Sequence, residues 1–167
     1  HASWSSPAIG KVKGKDMLIW GGGDGIAYGF NPVPVMDEEE GIPILKEFWR
    51  YDCNPPRYRN KENGDPIKYA TYKGPNEIIG TTVIHKGLIY AMTGQDPEHG
   101  EGMGHVWAID PTRRGDTSPT RAMDADGKEI PFEKRRRLQH VIAKDGETIQ
   151  PNSNTAVVWH YGQKDED

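Results

Sequence analysis

Residues 25–32, GIAYGFNP, and residues 104–111, GHVWAIDP, follow one pattern: a glycine, a short run of β-type and aromatic residues, then Asn-Pro or Asp-Pro. Matching apolar triplets precede them, Leu18-Ile19-Trp20 and Leu88-Ile89-Tyr90. A segment with tryptophan and tyrosine two apart follows each, Trp49 with Tyr51 and Trp159 with Tyr161. Self-similarity of this kind means one supersecondary unit used twice. The offset grows from about 70 at the triplets to about 79 at the glycine motifs, so about nine extra residues sit inside the second unit. A surface loop accommodates such an insertion at little entropic cost.

Eight short runs carry the repeat: SPAIGKV, DMLIWGG, GIAYGFN and ILKEFWRY, then IIGTTVIH, GLIYAMT, GHVWAID and NTAVVWHY. They are rich in β-branched and aromatic residues, glycine and proline bound them, and no segment has a helical period. Gly14-Lys15-Asp16, Gly23-Asp24-Gly25 and Lys86-Gly87 supply the chemistry of tight antiparallel turns. Period-2 geometry places Trp49 with Tyr51, and Trp159 with Tyr161, on one face of their strands.

The expected class is therefore all-β, with four-stranded antiparallel units that end on a heavy aromatic, the blade pattern of a β-propeller. The first blade is expected over about 5–52 and the second over about 78–162. An insertion of about 53–77 separates them, and another of about 112–154 interrupts the second. Both insertions are rich in Asn, Asp, Gly, Pro, Lys and Arg and read as loops on one rim, with a short hairpin near Glu129–Ile130 and Val141–Ile149.

Composition agrees with this class. The 167 residues suffice for one ordinary domain, and 20 Gly with 13 Pro require many turns. A net charge of −4 with interspersed signs gives no basic footprint, so nucleic acid is set aside as a partner. No apolar run approaches the length of a membrane-spanning helix. The one cysteine, Cys53, excludes an internal disulfide framework. No Gly-x-Ser-x-Gly elbow, phosphate loop or dinucleotide fingerprint is present.

The extra residues of the second unit lie in TGQDPEHGEGMGHVWAID, residues 93–110, the richest functional address in the chain. Gln95, Asp96, Glu98, His99, Glu101 and His105 are the candidate binding residues of this rim loop. Three readings stay open. The carboxylates can cap local N–H groups while the glycines take positive φ, making a rigid turn. Asp96, Glu98 and Glu101 are candidate oxygen ligands for a hard cation such as Ca²⁺, and His99 with His105 and a glutamate would offer zinc donors, without an established spacing. The loop can also recognise a protein or small ligand, since rigid scaffolds often carry function on loops. Asp24 reads as a turn residue. Trp49, Trp107 and Trp159, with Asp110, are expected to dock units against one another, each indole N–H needing a partner. His85, His140 and His160 have no partner assignable from spacing.

Ala108-Ile109-Asp110-Pro111, Gly115 and Trp159, with the Gly-Asp-Gly turn before an aromatic strand, resemble the pyrroloquinoline-quinone-type propeller repeat with tryptophan-docking blades. The stretches at 1–7, 94–102 and 156–161 look more narrowly like secreted quinoprotein-like repeat proteins of planctomycete type. The resemblance implies an exported, periplasmic or extracellular, eight-bladed propeller of which this chain supplies about two blades. The remaining blades would come from the parent chain or from other chains. Pyrroloquinoline quinone and Ca²⁺ are cofactors by that resemblance alone, and Cys53 stands single where such dehydrogenases use adjacent paired cysteines. The readings carried forward are a binding or scaffold propeller, a fragment of a quinone-dependent dehydrogenase, and a calcium-stabilised structural propeller.

Overall fold

The computed structural model describes residues 4–58, 65, 67, 75–95, 104–132 and 139–162. The chain is all-β, and among the described residues helix is limited to short 3-10 turns such as Pro56–Tyr58 and Ala143–Asp145. Two four-stranded antiparallel meanders dominate. The first runs through β1 (Ala8–Val12), β2 (Lys15–Gly21), β3 (Ile26–Phe30) and β6 (Glu47–Asp52). The second runs through β7 (Val83–His85), β8 (Leu88–Thr93), β9 (His105–Ile109) and β13 (Val157–Gly162). A small hairpin of β4 (Val35–Met36) and β5 (Pro43–Ile44) fills the connection between β3 and β6. No described helix is long and apolar enough to cross a membrane.

The first hairpin of each sheet turns identically. Lys13-Gly14 and Lys86-Gly87 both hold positive φ, 48° and 79° in one and 49° and 79° in the other. Two consecutive left-handed residues make the two-residue turn whose twist matches antiparallel strands. The expected turn at Gly14-Lys15-Asp16 thus lies one residue earlier, with Lys15 and Asp16 already paired in β2.

Register shows how the two units correspond. Gly29 lies opposite Trp49 and Ala27 opposite Tyr51. In the second sheet Ala108 lies opposite Trp159 and Val106 opposite Tyr161. The glycine-motif offset of 79 read from sequence therefore holds in space. The triplet match does not: Ile19 pairs with Gly29, whereas Tyr90 pairs with Ala108. Ile19 occupies the place of Tyr90, and Leu18 that of Ile89. The sequence match is off by one residue, and one residue of slip moves every side chain to the other face.

The sheets pack face to face on one core. Ile19, Ala27, Trp49 and Tyr51 from the first sheet meet Ile89, Ala91, Trp107 and Ile109 from the second, with Ile78 and Cys53 between. Close approach is required at Gly10, where a Cβ would stand 2.6 Å from Ile84 Cδ1.

The second insertion differs from the rim loop expected of it. Its strand β10 (Gly115–Asp116) pairs parallel with β6 as a fifth strand. Both the N–H and the hydroxyl of Thr117 donate to the Arg50 carbonyl, and Asp52 N–H donates to Ser118 Oγ. Residues 115–118 thus cover an edge that would otherwise offer unpaired backbone groups. The hairpin expected near Glu129–Ile130 and Val141–Ile149 is instead β11 (Thr120–Met123) with β12 (Thr148–Pro151). A single bridge from Met123 to Glu129 is what forms near the first of those positions.

Candidate functional site at the loop end of the two sheets

Both sheets send their β2–β3 and β8–β9 connections to the same end, and residues 76–78 run between them. Gly22 and Gly25 close the first connection: Gly22 N–H donates to the Ile26 carbonyl and Gly25 N–H to the Gly22 carbonyl. Asp24 is the expected turn residue, its carboxylate accepting from Ile26 N–H at 3.0 Å and from the Tyr28 hydroxyl at 2.7 Å. Burial, then the Asp24 charge and hydrogen bond, push the Tyr28 phenol far above its ordinary range, so it remains a donor.

Residues after β6 cross this end and lock it. Cys53 N–H donates to the Gly25 carbonyl. Asn54 and Asn76 bond reciprocally, the Asn54 amide donating to the Asn76 carbonyl at 2.8 Å and accepting from Asn76 N–H at 2.7 Å. Gly25 is glycine for two reasons: its φ is 77°, and a Cβ would lie 2.0 Å from Asn54 Nδ2. Gln139 extends the network, donating to the Asn54 carbonyl while accepting from Thr120. These backbone groups are buried, and side-chain amides supply the partners that buried N–H and C=O groups need.

A polar core sits beside this lock. Glu77 bridges Gly94, each N–H donating to the other carbonyl. Thr93 faces His105 across β8 and β9. His105 is 1% exposed and makes two ring hydrogen bonds, Nδ1 with His160 Nε2 at 2.8 Å and Nε2 with the buried Tyr58 hydroxyl at 2.9 Å. The two imidazole centroids are 5.0 Å apart, close to the largest separation such an Nδ1 to Nε2 contact allows, so the ring nitrogens meet head-on. Tyr58, His105 and His160 thus form a hydrogen-bonded row from the interior to the surface. The row can shift its protons between two tautomeric arrangements.

Trp107 supports the row from below. Its indole stacks on His160 at 3.7 Å with 10° between planes, and its N–H donates to the Cys53 carbonyl at 2.7 Å. The expected partner for the Trp107 indole N–H is therefore backbone just beyond β6. Gly162 is packed against the same pair, where a Cβ would stand 2.1 Å from His105 Nδ1.

Several buried polar atoms here lack a hydrogen-bond partner: Glu77 Oε2, Thr93 Oγ1 and the Tyr51 hydroxyl. Burial, then the Cys53 and Asp52 charges, raise the Tyr51 phenol far above its usual value, so it stays protonated. Unsatisfied buried groups are expensive in a folded protein, so their retention points to a constraint other than stability.

Among the sequence candidates, His105 is brought to this core, and Gln95 follows Gly94, the bridge residue after β8. Asp96, Glu98, His99 and Glu101 lie outside the described residues. Among the described residues no group of three or more His, Cys, Asp or Glu is placed to hold a metal ion. Trp49 is buried between the sheets, Trp159 is partly exposed, and Asp110 serves a local turn, its carboxylate accepting from Thr112 N–H at 2.9 Å. Tyr58 and His160 are the residues that the sequence reading did not assign. The signal for His160 is its neighbours: with Trp159 and Tyr161 on one face, His160 must point to the other, opposite Trp107. No protein-family model, no curated protein and no solved structure matches this chain.

Proposed function

We propose that the chain carries about two blades of an exported β-propeller-type repeat and that it serves as a binding or scaffold module, engaging a polar ligand or protein segment at the loop end of its two sheets. The propeller reading is supported by the sense of packing: two meanders of the same strand order stack with corresponding aromatic positions facing the same way, Trp49 towards the second sheet and Trp159 away from the first. Propellers repeat such sheets radially and carry their loops on the rims.

The observation that carries the binding function is the set of buried, unpartnered polar atoms at that end, Glu77 Oε2 and Thr93 Oγ1, beside the Tyr58–His105–His160 row. Groups selected for a partner hold the free protein below its stability optimum. Thermal unfolding of Thr93→Val and Glu77→Gln tests this. Each variant should hold or raise the melting temperature with an unchanged near-ultraviolet circular dichroism spectrum. A fall of several degrees in both would mean that the groups are structural, and the binding reading would fail.

A further inference from the structure

The two sheets use opposite faces of one design, and among the described residues one of these faces is exposed on the second sheet and the other only half-buried on the first. In the first sheet, Trp49 over Gly29 and Tyr51 opposite Ala27 face the second sheet, and they are 1% and 0% exposed. In the second sheet the corresponding pairs are Trp159 with Ala108 and Tyr161 with Val106, on the face turned away from the first sheet. There Trp159 is 43% exposed and Tyr161 is 74% exposed. Identical positions are thus sealed in one copy of the unit and open in the other.

The complementary face of the first sheet is sealed less completely than the core, its residues being half-buried. The second sheet docks on the first through Ile89, Trp107 and Ile109. By register, the corresponding positions of the first sheet are Leu18, Tyr28 and Phe30, since Leu18 pairs with Phe30 as Ile89 pairs with Ile109, and Trp20 pairs with Tyr28 as Ala91 pairs with Trp107. These residues point away from the second sheet and form a stacked aromatic row, with Trp20 and Tyr28 centroids 5.7 Å apart and Tyr28 and Phe30 centroids 6.0 Å apart. Ile9, opposite Leu18 on the same face, is exposed.

We propose that a second copy of this chain covers the Trp159 face, docking head-to-tail through its own Leu18–Tyr28–Phe30 face. Such a contact continues the interface already inside the chain, because each copy presents both halves of that interface, one on each sheet. The contact is heterologous, so it leaves a free half at both ends of any open assembly and is satisfied fully on closure into a ring. The inference rests on the paired registers and is independent of what the loop end binds.

Sedimentation velocity and native mass spectrometry of the whole chain test it. The parent chain should form assemblies at tens of micromolar. Tyr161→Glu blocks one face and Ile9→Glu the other, and both positions are exposed enough to leave the fold intact. Each variant alone should lose closed assemblies. The decisive arm uses Tyr161→Glu/Trp159→Glu and Ile9→Glu/Phe30→Glu, which should be monomeric separately and form a one-to-one heterodimer when mixed, because each retains the face that the other lacks. A monomeric parent chain, self-association of either double variant through two like faces, or failure of folded double variants to pair on mixing would each overturn the proposal.

Discussion

The indole of Trp49 lies directly on Gly29, where a Cβ would stand 2.3 Å from both Cε2 and Nε1 of the ring. The Trp49 N–H points instead to Met17 Sδ at 3.4 Å. The ring has no room to retreat, because the second sheet covers it. Gly29→Ala should therefore destabilise the protein by about 1–3 kcal/mol through overpacking. Ala108, the residue at the corresponding position under the exposed Trp159, shows that the unit itself tolerates alanine there. Denaturant unfolding of Gly29→Ala and Ala108→Gly measures the contrast: a large loss in the first and a loss of about 1 kcal/mol or less in the second.

The Asn54–Asn76 exchange should be among the costliest polar contacts to remove. Asn54→Ala strips the buried Asn76 N–H and carbonyl of these two bonds, and each buried backbone group left unsatisfied costs about 1–3 kcal/mol. Asn54→Asp keeps the acceptor but loses the donor and should fall between the parent and alanine. Urea midpoints at a common slope give the ranking.

How much of this was legible in the sequence depends on where a residue's neighbours are. The repeat, the four-stranded units and the Gly-Asp-Gly turn could be read because period-2 alternation and turn residues are local signals. The face of β2 could not. Leu18-Ile19-Trp20 and Leu88-Ile89-Tyr90 match by residue type, but register is set by cross-strand pairing, which places Ile19 where Tyr90 lies. Nor could β10 be read, since a two-residue strand carries no period. At the site, His105 drew notice through its loop. Tyr58 joins it across 47 positions of sequence and His160 across 55, separations at which spacing says nothing.

His160 should report on the row that it closes. His160→Ala removes both the head-on bond to His105 and the ring that covers Trp107. A stability loss of about 1–2 kcal/mol is expected from the lost bond and stacking. Trp107 emission should shift to the red as its face meets water. The difference spectrum between parent and Trp107→Phe, recorded with and without the His160 change, isolates that indole.

Asp110 gives the protein an acid-sensitive turn. Desolvation draws its carboxyl upward, but the Thr112 hydroxyl and N–H, with the Lys13 and Arg113 charges, more than offset this and hold it below the ordinary carboxylate range. A depressed folded-state value favours the folded protein above the unfolded-state titration near about 3.9, and the benefit is lost as pH falls through the folded value. Asp110→Asn should accordingly melt lower than the parent at neutral pH and converge with it in acid. A constant difference from pH 7 to pH 2 would contradict this assignment.

Cys53 has no solvent-exposed surface, and its own carbonyl is the acceptor that the Trp107 indole reaches from the opposite sheet. Its thiol is consequently a built-in clock for the parting of the two sheets. An alkylating reagent added to the native protein can react only during the moments when that seam opens, so the labelling rate, compared with that of the urea-unfolded chain, measures how often the halves separate. Anything that braces the seam should slow the clock.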